Sequence, residues 1–205
     1  MSPSTLLTLI TAGISIWAFY NRKIVAKLIL SPHAVVHRKQ WYLVITHAFI
    51  HANWMHLIFN MLALWSFGIA VEQYLSLITT IPNAQFYLLY FGAILFSSIP
   101  DLIKKKNKPD YLTLGASGGV SAIVFAAIFF NPWHLIYVFF LPCPGIVFGA
   151  LYLIYCSYQS KKGSVDRINH DAHFYGSVFG FLYPILIDPS AFLQYFVYQL
   201  LHPVF

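Results

Sequence analysis

The chain has 205 residues, of which 59% are hydrophobic and only 9% are charged. Soluble domains carry about 25% charged residues, so this composition argues against a soluble protein and predicts an integral membrane protein in contact with a lipid bilayer. The net charge is +6, but the basic residues stand in short clusters between apolar segments. Such clusters usually fix orientation in a membrane, and no nucleic-acid partner is predicted.

Six apolar segments follow one another along the chain, and each is predicted to be a helix because a lone span must satisfy its own backbone hydrogen bonds. They run at about Thr5–Tyr20, Asn53–Glu72, Ala84–Ile99, Gly115–Asn131, Gly145–Tyr158 and Asp171–Asp188. The apolar "WHLIYVFF" that precedes the fifth segment is a candidate extension of it. The predicted fold is therefore an all-α integral membrane bundle of six transmembrane helices.

The remaining segments are predicted to lie at the membrane surface. The long first loop, residues 21–51, contains Trp41 and Tyr42, which suit the headgroup region. The tail is rich in aromatic residues and too short to span, so we expect it at the interface or packed along the bundle. The predicted organisation is a six-helix membrane domain, residues 1–188, and a C-terminal interfacial tail, residues 189–205. The first apolar segment precedes its positive charges, which indicates a retained span rather than a secretory signal.

The two cysteines, Cys143 and Cys156, show neither a disulfide framework nor the paired spacing of a metal site. We interpret both as structural residues. No metal and no cofactor is predicted.

Polar side chains inside the membrane are costly and often mark function, and the first group lies in "HANWMHLIFN". His56 and Asn60 are four residues apart and share a helix face, while His51 lies just before that helix. The three could donate hydrogen bonds to a buried anion. Hydrogen bonding to a neighbouring helix explains them nearly as well, and the absence of a nearby Asp, Glu or Cys weakens a zinc site.

The second group is the sequence Gly115-Ala116-Ser117-Gly118. Ser117 is predicted in the first turn of a helix, where a serine is most often only a cap. Gly118 begins a stripe of small residues with a period of four, completed by Ala122 and Ala126. Such a stripe permits close approach of another helix.

The third group surrounds His173, which is followed on the same helix face by Gly176 and Gly180. Two helices with small residues where they cross can pack until Ser117 and His173 touch. A neutral imidazole there could take the Ser117 proton, and His56, Asn60 and the Ser117 N–H could hold the oxyanion. Asp171 lies on a different face from His173, which favours a Ser-His dyad over a triad.

These three motifs, in this order and in these segments, resemble the rhomboid family of intramembrane serine proteases, and the resemblance covers about residues 5–188. It implies Ser117 as nucleophile, His173 as general base, and His56 and Asn60 as oxyanion donors, with supporting roles for His51, Gly115, Gly118, Gly176 and Gly180. It also implies cleavage of transmembrane protein substrates at or near the membrane boundary without cofactor or metal. The implied fold is a six-helix bundle whose short fourth helix begins below a water-filled cavity.

Two features depart from the family pattern. Trp41-Tyr42 stands where the first loop often carries a Trp-Arg pair, and His170 is an additional histidine, either a solvated cavity residue or a competing candidate for the base. The resemblance suggests a multi-pass protein of a bacterial inner membrane. All twelve Lys and Arg residues fall in the first, third and fifth loops, which the positive-inside rule places in the cytoplasm. Family precedent favours the opposite orientation, and both stay open.

Two alternative functions also stay open. One is a catalytically inactive rhomboid-like protein that binds transmembrane helices, although the retention of both Ser117 and His173 argues against it. The other is a histidine-rich transporter of metal or haem, which would carry bound metal after purification.

Overall fold

The computed structural model describes residues 1–138, 140–162 and 168–203, and most of them are helical. The helices are α1 (Pro3–Phe19), α2 (Arg22–Leu28), α3 (Pro32–Arg38), α4 (Leu43–Thr46), α5 (Trp54–Ile78), α6 (Pro82–Lys104), α7 (Ser117–Phe130), α8 (Gly145–Lys162), α9 (His170–Ile187) and α10 (Tyr198–Leu201). A single 3₁₀ turn, His47–Phe49, and a π-helix, Phe192–Val197, complete the helical elements of these ranges.

Among the described helices, α5 and α6 are each long and apolar enough to cross a membrane. Their 25 and 23 residues correspond to about 35 Å or more of helix, against a hydrocarbon core of about 30 Å. A third candidate span arises if α9 and the helical segment Phe192–Leu201 are taken together across a bend of 112°. The apolar helices α1 and α7 are shorter, so the count of six spans stays a prediction.

The segment before α8 is a β-hairpin, so the predicted helical extension of the fifth segment is wrong. Strand β1 (Leu135–Val138) pairs antiparallel with β2 (Leu141–Pro144). Prolines at 142 and 144 fix the backbone dihedral φ and lack the N–H that a helix needs, while β-branched and aromatic residues in β1 favour an extended chain. Helix α8 consequently begins only at Gly145.

Helix α7 lies at the centre of the bundle, and 12 of its 14 residues are buried. A helix that is apolar on every side is buried either in lipid or among other elements of the protein. Here α5, α6 and α9 surround it, with α9 in the most extensive contact. At about 21 Å, α7 is shorter than the thickness of a hydrocarbon core, which is about 30 Å.

Glycines bring α7 and α9 into backbone contact. A Cβ added to Gly176 would lie 2.9 Å from the carbonyl carbon of Gly118, and one added to Gly180 would lie 2.5 Å from the carbonyl carbon of Ala122. Neither glycine can carry a side chain without moving the helices apart. This is the close approach between small-residue stripes that the sequence predicts.

The tail packs along the bundle, one of the two placements expected from its sequence. Phe196 of the π-helix stacks on Phe129 of α7, with ring centroids 5.3 Å apart, and meets Phe181 of α9 edge-on at 5.1 Å. The indole N–H of Trp133 donates to the carbonyl of Leu200 at 3.1 Å. The tail therefore closes the end of α7 that is remote from Ser117.

Candidate active site

A cavity of about 1000 Å³ lies at the N-terminal end of α7, and both Ser117 and His173 line it. His56 and Asn60 line the same cavity from α5. The structure therefore brings side chains from three separate helices to one space. Gly115 and Gly118 also face it, whereas Gly176 and Gly180 lie in the helix contact described above.

Ser117 is the first residue of α7, and the cap position belongs to Ala116, which forms no side-chain cap hydrogen bond. The common explanation of a serine at a helix start, a capping hydroxyl, therefore does not describe Ser117. Its side chain is half-buried and faces the cavity. Free backbone N–H groups of a first helical turn point outward at the same place.

Gly115 shapes the turn that leads into Ser117. Its φ of 118° lies in a region that residues with a Cβ rarely adopt. Its N–H donates to the carbonyl of His47 at 2.9 Å. A Cβ at this position would lie 2.7 Å from Cε1 of the His56 ring. Both the backbone conformation and the space beside His56 consequently require glycine.

We expect Gly115→Ala to lower both stability and activity. The strained φ costs about 1–3 kcal/mol, and the added methyl group displaces the His56 ring. The measurement is the midpoint of unfolding in detergent together with cleavage of a transmembrane reporter. Gly13→Ala is the matched control, because a Cβ there meets nothing within 4 Å. If Gly115→Ala and Gly13→Ala had the same unfolding midpoint and the same cleavage rate, this explanation of the turn would be contradicted.

His51 lies behind the cavity and is only 3% exposed. Its Nε2 accepts the N–H of Ala116 at 3.3 Å, and its Nδ1 lies 2.9 Å from Ser15 Oγ. Since Ser15 donates its proton to the carbonyl of Phe49 at 2.8 Å, Nδ1–H is the donor to Ser15 and the ring is neutral. His51 therefore ties α1 to the residue preceding Ser117.

His56 and Asn60 are held by local hydrogen bonds of α5. Asn53 caps the helix by accepting the His56 N–H at 2.9 Å, and the side-chain amide of Asn60 donates to the His56 carbonyl at 2.8 Å. This amide hydrogen bond stays within α5, unlike the interhelical bond considered from sequence. The His56 ring meets His51 edge-on, with centroids 4.9 Å apart.

Tyr152 is a site residue that the sequence did not indicate. Its hydroxyl lies 3.0 Å from His173 Nδ1, and the two rings are nearly parallel, with centroids 6.2 Å apart. When Nδ1 carries the proton and donates it to Tyr152, Nε2 keeps the lone pair that a general base needs. No local motif marks Tyr152, because it belongs to a different helix and is one of 14 tyrosines.

A partly buried polar network holds the first turn of α9, which contains His173. Asn169 caps this helix by accepting the Ala172 N–H at 3.0 Å, and its amide donates to the Asp101 carboxylate at 2.5 Å. The Tyr111 hydroxyl donates to the other carboxylate oxygen at 3.0 Å. Burial raises the pKa of Tyr111, and the charge of Asp101 raises it further, so Tyr111 remains a neutral donor.

The other polar residues at the start of α9 point elsewhere. Asp171 accepts hydrogen bonds from Lys104, at 2.8 Å, and from Ser160, in agreement with its predicted different face. His170 is 3% exposed, packs edge-on against Tyr155 and is absent from the cavity lining. The interpretation of His170 as a solvated cavity residue is therefore wrong.

Residues 38–189 match the model of the rhomboid domain, and the chain belongs to the rhomboid family, whose members are integral membrane proteins and generally serine proteases. It is 32% identical over 148 residues to Rhomboid protein 1, mitochondrial, of Saccharomyces cerevisiae, covering 68% of this chain and 40% of that protein. It is 26% identical to RHOMBOID-like protein 12, mitochondrial, of Arabidopsis thaliana, covering 83% and 54%. The putative rhomboid protease YdcA of Bacillus subtilis is 25% identical, covering 72% and 67%. The chain thus spans about half the length of the first two relatives.

Proposed function

We propose that this protein is an intramembrane serine endopeptidase that cleaves transmembrane protein substrates at or near the membrane boundary. The observation that carries the proposal is the shared cavity. A half-buried serine at a helix start, a histidine of a second helix, and His56 and Asn60 of a third all line it. Membership of the rhomboid family supports the proposal.

In the proposed mechanism His173 Nε2 takes the proton of Ser117 while Ser117 Oγ attacks the substrate carbonyl carbon. General-base assistance of this kind contributes about 10²–10⁴ in rate. The oxyanion that forms accepts hydrogen bonds from His56, Asn60 and the Ser117 N–H, each worth about 10²–10³. His173 then gives its proton to the leaving amine, and water hydrolyses the acyl-enzyme by the same steps in reverse.

The residues around the dyad have positioning roles in this proposal. Tyr152 holds the ring of His173 through Nδ1, and the Asp101 network fixes the first turn of its helix. His51 anchors the residue before Ser117. We further propose that six helices span the membrane, with residues 189–205 as a C-terminal interfacial tail, in a bacterial inner membrane.

The test is labelling by a serine-directed fluorophosphonate probe. We expect the folded protein to be labelled and Ser117→Ala not to be labelled. Ser98→Ala is the matched control, because Ser98 also lines the cavity but donates its hydroxyl proton to the Ile94 carbonyl at 2.8 Å. Absence of labelling in folded protein, together with no cleavage of a helix-destabilised reporter, would favour the inactive, helix-binding alternative.

A further inference from the structure

A thiol and two imidazoles meet where α8 packs against α9. Cys156, His170 and His173 each offer a ligand atom, and these atoms all lie within 4.8 Å of one another. Cys156 is fully buried and His170 is 3% exposed, whereas His173 is half-buried and lines the cavity. The cluster therefore extends from the interior of the bundle to the wall of the candidate active site.

We propose that Cys156, His170 and His173 form a binding site for a Zn²⁺-like divalent metal ion, and that the bound ion switches the protease off. The inhibitory role of the ion rests on the protease function proposed above. Thiolate sulfur and imidazole nitrogen are the donors that zinc prefers. The metal would bind reversibly as a regulator, and the proposed catalytic mechanism does not use it.

The geometry suits a small tetrahedral ion. Zinc bonds of about 2.3 Å to sulfur and 2.0–2.1 Å to nitrogen place neighbouring ligand atoms about 3.3–3.6 Å apart. The present separations of up to 4.8 Å exceed this by at most about 1.2–1.5 Å, a change that side-chain rotation can supply. Three protein ligands leave one tetrahedral position for water.

The proposed metal site combines two ligands that are close in sequence with a third from another helix. His170 and His173 are three residues apart on α9 and share a face of that helix. Cys156 comes from α8, 14 positions before His170. This is why the spacing of the cysteines indicated no metal site. The ligand set exists only because α8 and α9 pack together.

Metal binding would prevent His173 from acting as the general base, whichever of its ring nitrogens held the ion. An ion on Nε2 would occupy the lone pair that accepts the Ser117 proton. An ion on Nδ1 would displace the hydrogen bond to Tyr152, and the neutral ring would then carry its proton on Nε2, where it can only donate. The cavity gives the ion its route, because His173 and Tyr152 both line it.

The binding experiment uses Ser117→Ala protein, so that it is independent of proteolysis. Titration with Co²⁺ should produce one equivalent of a tetrahedral cobalt spectrum with a thiolate-to-cobalt charge-transfer band. The band should disappear in Ser117→Ala/Cys156→Ala and persist in Ser117→Ala/Cys143→Ala, since Cys143 is the second free cysteine and lies in the hairpin. No band, or a band that depends on Cys143, would overturn the proposal.

The inhibition experiment uses the Ser117-containing protein and a transmembrane reporter. Zn²⁺ should inhibit cleavage reversibly, a chelator should restore it, and Cys156→Ala should raise the half-inhibitory concentration at least tenfold. The activity of the Cys156→Ala variant without metal shows that this variant is folded. Equal inhibition of both proteins, or a cobalt band without inhibition, would refute the switch while leaving the protease function intact. If the Cys156-dependent cobalt band forms but protein with Ser117 intact fails to cleave the reporter even without metal, the protease function is refuted and the metal site stands.

Discussion

Replacing Ser117 by alanine is expected to reduce cleavage of a transmembrane reporter by about 10⁴-fold or more, to background. The hydroxyl is the proposed nucleophile, and it faces the cavity at the start of α7. His173→Ala should cause a loss of similar size, because the hydroxyl is a weak nucleophile without its base. The measurement is the initial rate of product formation at saturating reporter.

A double variant tests whether Ser117 and His173 act together in catalysis or whether the two substitutions cause unrelated defects. Residues that act as one unit show grossly non-additive effects, so Ser117→Ala/His173→Ala should be no slower than either single variant. Both positions are half-buried, and the unfolding midpoints should stay close to that of the unsubstituted protein. A folded Ser117→Ala protein that still cleaves the reporter would exclude the proposed mechanism.

Replacing Gly176 by leucine is expected to abolish activity by changing the distance between α7 and α9. Any Cβ at position 176 lies 2.9 Å from the carbonyl carbon of Gly118 and 3.0 Å from its Cα, and closer still to the carbonyl oxygen. These are backbone atoms, so no rotamer change relieves the contact and the helices must separate. Overpacking of this kind costs about 1–3 kcal/mol or more, and His173 moves with its helix.

The size of the loss should follow the volume added at the contact. Gly176→Ala should already lower the unfolding midpoint and the cleavage rate, and Gly176→Leu should lower both further. Gly13→Leu is the control, because it adds the same side chain to α1 where nothing lies within 4 Å of the Cβ. Full activity of Gly176→Leu would show that close packing of α7 and α9 does not position the site.

The local features of the site follow from helical periodicity, and for that reason the sequence predicts them. His56 with Asn60, Gly118 with Ala122, and Gly176 with Gly180 each recur at a spacing of four, so each pair shares a face in any α-helix. The sequence likewise predicts that α7 and α9 meet through their small residues, because small residues on membrane helices allow two backbones to pack closely.

Other features depend on which distant segments touch, and periodicity carries no such information. Tyr152 reaches His173 from another helix, and Asp101 reaches Asn169 across 68 positions of sequence. The helical prediction for the segment before α8 failed because its apolar residues suit a strand as well as a helix. Pro142 and Pro144 lie in β2 and lack the N–H that a helix needs, which favours the hairpin.

By itself the sequence determined that the chain is a membrane protein, which residues share each helix face, and which motifs resemble the rhomboid family. Only the tertiary structure decided that Ser117, His173, His56 and Asn60 line one cavity, that His51 is buried behind it, and that Cys156 lies beside two histidines. The physical reason is that the repeat of 3.6 residues per turn fixes which residues are neighbours within a helix. Which residues are neighbours across two helices depends on how the whole bundle packs.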